Sequence, residues 1–189
     1  MASRVALVWP SLEYLPSYTA ALQRGWSPDN IRGIEAAREQ LASIAEDPRA
    51  FVLGMVARPP KGSLMTLPDG SQVPRLPGYR RWLWDGELCG SIGLRWQLGT
   101  SALPPYVLGH IGYAVVPWKQ RLGYATQALR LLLPEAKAEG LTHVEITTDP
   151  HNVASRRVVE ANGGVVVEQF VRPPAFGATH AVRYRIDLR

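Results

Sequence analysis

The chain has 189 residues, of which 46% are hydrophobic and 20% charged, and its formal net charge at pH 7 is +5. These proportions are typical of a globular protein with a sizeable core, and they exclude disordered and collagen-like classes. The lone Cys89 excludes an internal disulfide and a multi-cysteine metal site, so we expect a reducing cytoplasmic environment and no bound metal.

The positive charge and the long uncharged stretch exclude two further classes. The arginines are scattered along the chain and do not form one basic run with interleaved aromatic residues, so we expect no nucleic-acid partner. Residues 96–118 contain no Lys, Arg, Asp or Glu. Prolines and glycines interrupt that stretch, which favours a buried loop and strand and predicts no membrane span.

The N-terminal part begins with a short strand and continues as helices. Hydrophobic periodicity predicts a strand, two helices and then an extended segment, at Val5–Trp9, Ser17–Arg24, Ile34–Ala45 and Phe51–Ala57. The following stretch up to residue 78 is rich in proline and glycine, and the turn residues 68–70 inside it indicate a small hairpin.

A second hairpin and a long strand follow. Asp85-Gly86 lies between the runs Arg80–Trp84 and Glu87–Arg95, a pattern that predicts a hairpin with a type I′ turn. Tyr106–Val116 is predicted as the next strand.

The C-terminal third alternates between helix and strand. Helical spacing predicts a helix at Tyr124–Ala138, which Pro134 should bend or split near its end. After it we expect a strand, a helix and a closing hairpin, at His143–Thr148, Asn152–Ala161, Val165–Phe170 and Val182–Leu188.

The turn before the long helix carries the main functional signal. Residues 120–126, Gln-Arg-Leu-Gly-Tyr-Ala-Thr, join a strand to the start of this helix. Free backbone N–H groups and the positive end of the helix dipole should converge there, and a phosphate suits both. The turn lacks the lysine of a P-loop and the glycines of a Rossmann fingerprint. The alternative is an ordinary strand-to-helix turn, in which Gly123 only marks the change from strand to helix.

Downstream residues favour the phosphate site. Together with the Gln120–Ala125 turn, three features resemble the GNAT superfamily of acyl-CoA N-acyltransferases: Val116-Pro117, Asn152 with Ser155, and Gly163-Gly164. The resemblance runs from about Tyr79 to the C-terminus and is closest to poorly characterised bacterial GNAT acetyltransferases. It implies a mixed α/β fold whose mostly antiparallel, twisted sheet is flanked by helices and has a splayed parallel strand pair at its centre. It also implies one domain over residues 1–189, with a variable part (1–78) and an acyl-CoA-binding core (79–189).

The resemblance implies acetyl-CoA as co-substrate and N-acetyl transfer to the primary amine of a small molecule, by direct attack in a ternary complex. The pantetheine arm would lie in the strand gap against the backbone of Tyr113 and Val115. The remaining implied acyl-CoA ligands are the residues of the turn and the start of the next helix: Gln120, Arg121, Leu122, Gly123, Tyr124, Ala125, Thr126, Asn152 and Ser155.

Three catalytic residues are predicted. The resemblance implies that the Tyr113 N–H polarises the thioester carbonyl, as an oxyanion-hole donor does. Many relatives carry a tyrosine as general acid where this chain has Val159. Ser155, the nearest hydroxyl, is the candidate here; a water or another tyrosine is the alternative, or the thiolate departs without a general acid. Glu145 is the candidate general base. Strand alternation puts His110 on the face opposite Tyr113, which favours a packed structural histidine.

The acceptor is the least determined part. Trp26, Arg81 and Trp84 are the predicted acceptor-binding residues, although the tryptophans fit the core equally well. A protein N-terminus or lysine is an alternative acceptor, and a CoA-binding sensor without turnover is an alternative function. Strands of the C-terminal hairpin could also pair two copies into a homodimer.

Overall fold

A computed structural model of the chain describes residues 4–56, 62–67 and 69–188. The helices are α1 Leu15–Gln23, α2 Ile34–Glu46, α3 Pro48–Val56, α4 Tyr124–Ala138 and α5 Val153–Glu160. The strands are β1 Ala6–Val8, β2 Leu64–Thr66, β3 Gln72–Pro74, β4 Gly78–Trp84, β5 Leu88–Arg95, β6 Ile111–Val115, β7 His143–Thr148, β8 Val165–Val171 and β9 His180–Asp187.

The strands form three sheets. One has the order β1-β4-β5-β6, another has the order β7-β9-β8, and β2 pairs with β3 in a small hairpin. The registers of β1 with β4, β2 with β3 and β9 with both its neighbours are antiparallel. β6 is an edge strand of the first sheet, and β7 is an edge strand of the second. The predicted mixed α/β fold is therefore confirmed.

The chain divides into two compact units. The first comprises Met1–Ala57, Tyr79–Gly93 and Tyr113–Ala128. Its core holds α1 against β4, where the ring of Tyr18 stacks on Trp82 with centroids 4.4 Å apart. Burial of Tyr18 raises the pKa of its hydroxyl well above the usual range.

The second unit comprises Arg58–Gly78, Leu94–Gly112 and Leu129–Arg189. β9 lies at the middle of its three-stranded sheet, and the hydroxyl of Tyr184 on that strand donates to Glu160 of α5. The prediction of one domain with a boundary after residue 78 stays a prediction.

The extended segment predicted at Phe51–Ala57 is wrong, because Pro48–Val56 is helical. The Asp47 carboxylate accepts hydrogen bonds from the N–H groups of Arg49 and Ala50, both at 2.9 Å. An Asp cap followed by proline is a strong helix start, and it was present in the sequence.

Two other predictions need correction. The predicted strand Tyr106–Val116 begins only at Ile111, because Val107 N–H donates to Pro104 in a turn. The β4–β5 hairpin is present, but its connection is not type I′. That turn requires positive φ at both central residues, and Asp85 is not among the described residues with positive φ.

The remaining helices and strands fall close to their predicted positions. The bounds of α4 and β7 match the sequence prediction, and α4 continues through Pro134 without a split. Among the described residues, no helix has the length and apolarity that crossing a bilayer demands.

Candidate functional site

The turn between β6 and α4 adopts an unusual backbone. A short 3-10 helix at Pro117–Lys119 leads into it, and two of its residues have positive φ, Arg121 at 63° and Gly123 at 78°. Glycine accepts such an angle freely, whereas an arginine in the left-handed region costs roughly 1–2 kcal/mol. The chain therefore maintains a strained conformation at this turn.

Several backbone amides of the turn form no hydrogen bond with the described part of the protein. Within the described part of the chain, the backbone N–H groups of Arg121, Leu122, Gly123 and Ala125 have no hydrogen-bond partner. The first bond that closes helix α4 runs from Gln127 N–H to the Gly123 carbonyl. Orphaned donors at the start of a 15-residue helix form a ready anion site.

Asp85 contacts the residues on either side of the segment 120–123. Its Oδ1 lies 2.5 Å from the ammonium nitrogen of Lys119, and its Oδ2 accepts a 2.5 Å hydrogen bond from the hydroxyl of Tyr124. Burial raises the pKa of Asp85, but donation from Lys119 and Tyr124 outweighs it and brings the pKa down to about 2. The carboxylate is thus ionised at any physiological pH.

Side-chain amides meet two carbonyls of β6. Asn30 Nδ2 donates to the Tyr113 carbonyl at 3.0 Å, and Gln120 Nε2 donates to the Val115 carbonyl at 3.4 Å. β6 is also packed tightly on its other side. A Cβ at Gly90 of β5 would lie 2.2 Å from the Ala114 carbonyl oxygen, so only glycine fits there.

The start of α5 carries the predicted Asn152 and Ser155. The Asn152 side chain accepts from the Ser155 N–H at 3.0 Å, the hydrogen bond of an N-cap. Val159 is fully buried, and a Cβ at Gly164 would lie 2.4 Å from its side chain. The side chain of Val159 therefore faces packed protein.

Glu145 is surrounded by cations. Arg185 Nη2 donates to its Oε1 at 2.8 Å, and Arg183 Nε lies 3.7 Å from its Oε2. The Glu145 side chain is only 12% exposed. This is the arrangement of a structural ion pair, in which each carboxylate oxygen lies near an arginine nitrogen. The role of Glu145 as general base stays a prediction that its geometry does not favour.

His110 is fully buried, as expected for a structural histidine. Its Nδ1 accepts from the Glu145 backbone N–H at 2.9 Å. Burial lowers the pKa of His110 to about 4. The imidazole is therefore neutral at physiological pH.

The predicted acceptor residues are engaged in packing. Trp26 is 4% exposed and meets Tyr18 edge-on with ring centroids 5.6 Å apart. Trp84 packs on Tyr14 at 4.6 Å, and Arg81 donates to the Leu7 carbonyl at 2.8 Å. An aromatic acceptor pocket built from these side chains stays a prediction, and these contacts give it no support.

Sequence reasoning missed Asn30, Asp85 and Lys119. Asp85 was read only as a turn residue, and its partners lie 34 and 39 residues further along the chain. No local pattern marks such a contact.

One family profile matches most of the chain. A sequence profile described as acetyltransferase (GNAT) domain matches residues 30–165, well over half of the chain. No curated protein matches the sequence.

Similar solved structures extend over nearly the whole chain. A putative GNAT-family acetyltransferase from Bordetella pertussis is 16% identical with a TM-score of 0.58, covering 98% of this chain and 96% of its own. RimJ from Mycobacterium smegmatis, in complex with CoA-disulfide, is 17% identical with a TM-score of 0.60, covering 98% and 83%. The microcin C7 self-immunity acetyltransferase MccE, in complex with acetyl-CoA and AMP, is 11% identical with a TM-score of 0.58, covering 97% and 92%. At these identities the likeness establishes the fold.

Proposed function

The chain belongs to the GNAT family of acetyltransferases, and from this premise we propose that it transfers an acetyl group from acetyl-CoA to a primary amine. The observation that carries the proposal is the turn at 120–126. Its unpartnered amides at Arg121, Leu122, Gly123 and Ala125 supply the donor set that a diphosphate needs. Arg121 adds a positive charge beside them.

The pantetheine arm lies along β6 in this proposal. The amide groups of the arm would meet the backbone of Tyr113 and Val115, in the manner of an added strand. The carbonyls of both residues already accept from Asn30 and Gln120, so the arm shares or displaces those side-chain amides. Asn152 and Ser155 are proposed as further ligands.

The reaction is a direct displacement. The amine nitrogen attacks the thioester carbonyl carbon, the C–N bond forms, and the C–S bond breaks after a tetrahedral intermediate. The Tyr113 N–H stabilises the oxyanion of that intermediate, a contribution of roughly 2.7–4 kcal/mol in comparable sites. The amine loses one proton to solvent or a base, and the CoA thiolate takes up a proton, with Ser155 as the proposed donor.

A small-molecule amine is the first candidate acceptor, and a protein N-terminus is the second. One observation favours the second: of the residues predicted to line an aromatic acceptor pocket, Trp26 is buried in the core and Trp84 packs against that core. Several similar structures are also described as acting on proteins, among them RimL, a ribosomal L7/L12 alpha-N-protein acetyltransferase, with 12% identity.

The test has two parts. Titration calorimetry with CoA measures binding to the turn, and thiol release from acetyl-CoA measures turnover with small amines, amino acids, and peptides with free N-termini or lysines. Thiol release with any amine supports the proposal, and the responding acceptor assigns its class. Binding of CoA with no release for any amine would favour a sensor, and absence of CoA binding would overturn the proposal.

A further inference from the structure

The backbone amides of residues 121–123 do not stabilise the conformation of the 120–126 turn. Only four residues, 120–123, separate Lys119 from Tyr124, and two of them have positive φ. The amides of residues 121–123 make no hydrogen bond within the described chain. Residues with strained angles and unbonded amides keep one conformation only if the residues on either side are fixed.

Asp85 supplies that fixation from a distant hairpin. One carboxylate oxygen binds Lys119, just before residue 120, and the other binds Tyr124, the first residue of α4, both at 2.5 Å. The contact is partly covered, since the side chains of Lys119 and Asp85 are 12% and 15% exposed and Tyr124 is buried. An ion pair in such surroundings is screened less than a surface pair.

We propose that Asp85 is a positioning residue for acyl-CoA binding, which fixes residues 120–123 at both ends and so aligns the amides of the 120–126 turn on the diphosphate. Asp85 acts through Lys119 and Tyr124 and does not touch the co-substrate. The inference rests on the proposed function, because it assigns that turn to the diphosphate.

Charge and positioning predict opposite results for Asp85→Asn. The substitution removes a negative charge near an anion site, so a purely electrostatic role predicts tighter CoA binding. A positioning role predicts weaker binding, because asparagine cannot accept from both Lys119 and Tyr124. Losing a hydrogen bond to a charged group corresponds to about tenfold or more in affinity.

Glu87 provides a matched control. It also pairs with Lys119, at 2.9 Å, but its side chain is 61% exposed. Glu87→Gln removes the same charge from the same neighbourhood while both contacts of Asp85 remain. It is expected to leave CoA affinity within about twofold of the wild type.

The experiment compares the wild type with Asp85→Asn, Tyr124→Phe and Glu87→Gln. Calorimetry measures CoA affinity, and hydrogen exchange in the ligand-free protein measures protection of the amides at 121–126. We expect Asp85→Asn to bind CoA about tenfold or more weakly and to exchange faster at those amides, with Tyr124→Phe intermediate. With the first amine that supports turnover, the KM for acetyl-CoA should rise while kcat stays within about twofold.

Equal or tighter CoA binding by Asp85→Asn would overturn the inference, as would a loss shared equally by Glu87→Gln. If Asp85→Asn does not fold, Tyr124→Phe tests the same anchor without changing charge, and wild-type affinity in that variant would overturn the inference. If the wild type binds no CoA, the proposed function fails. The exchange comparison still decides whether Asp85 orders the turn.

Discussion

The imidazole of His110 accepts the backbone N–H of Glu145 through Nδ1 at 2.9 Å, while the His110 backbone N–H donates to the Glu145 carbonyl at 2.7 Å. The side chain thus takes the place that a backbone carbonyl has in an ordinary ladder. The backbones at Gly109 and Glu145 approach each other closely, because a Cβ at Gly109 would lie 3.0 Å from the Glu145 carbonyl oxygen. The ring can accept only while Nδ1 carries no proton.

This contact should make stability depend on pH. The pKa of His110 is about 4 in the folded protein, lowered by burial from its ordinary 6.5. Above pH 6.5 the ring is neutral in both states, and the full stability is present. Between pH 6.5 and 4 only the unfolded state takes up the proton. The free energy of unfolding therefore decreases as the pH is lowered, by about 3 kcal/mol in total.

His110→Asn tests this dependence, because its Oδ1 can accept in place of Nδ1 and does not titrate. Urea unfolding at several pH values should show a flatter profile between pH 6.5 and 4 in the variant than in the wild type. Parallel profiles would contradict the assignment to His110. The neighbouring His143 is present in both proteins and so cancels from the comparison.

Gly123→Ala should weaken CoA binding beyond its effect on folding. Alanine at φ +78° costs roughly 1 kcal/mol of stability and displaces the turn amides. Gly140→Ala is the matched control, since Gly140 has φ +87° and follows the end of α4. Both variants should lose similar stability in urea unfolding, but only Gly123→Ala should lose CoA affinity, by about tenfold. Equal affinities would contradict the placement of the diphosphate.

Arg121→Gly should change stability and binding in opposite directions. Glycine relieves the left-handed strain at φ 63°, which raises the free energy of unfolding by up to about 1 kcal/mol. The loss of the guanidinium should weaken CoA binding severalfold. Ala178→Gly, at φ 49°, is the control that should gain stability without changing affinity. If calorimetry shows unchanged CoA affinity, Arg121 is only a surface charge and not a ligand of CoA.

Asn152 should serve both as a helix cap and as a ligand. Asn152→Ala is expected to lower stability by about 1 kcal/mol, whereas Asn152→Asp keeps a capping oxygen and the stability. Both should weaken CoA binding, the aspartate through repulsion of phosphate. Asp47→Ala removes the cap of α3 and should lower stability alone. If Asn152→Asp binds CoA as the wild type does, Asn152 is only a cap.

Much of the fold near the turn follows from local chemistry. The apolar stripe of α4 predicts its bounds, and the oxygen of Asn152 marks the start of α5. Asp47-Pro48 marks the start of α3, but the sequence analysis predicts an extended segment there. The apolar run after Pro48 is equally compatible with a strand. The strand before the turn was predicted too long, since five uncharged residues before Ile111 fit either a strand or a loop.

The sequence by itself determined the family, most of the helices and strands, and the turn that offers its amides, because each rests on short local patterns along the chain. Only the tertiary structure decided that Asp85 holds that turn, that Trp26 belongs to the core and that Glu145 lies between two arginines. Those contacts join residues far apart in the chain. Their partners are selected by packing and charge in three dimensions, and no local pattern carries that information.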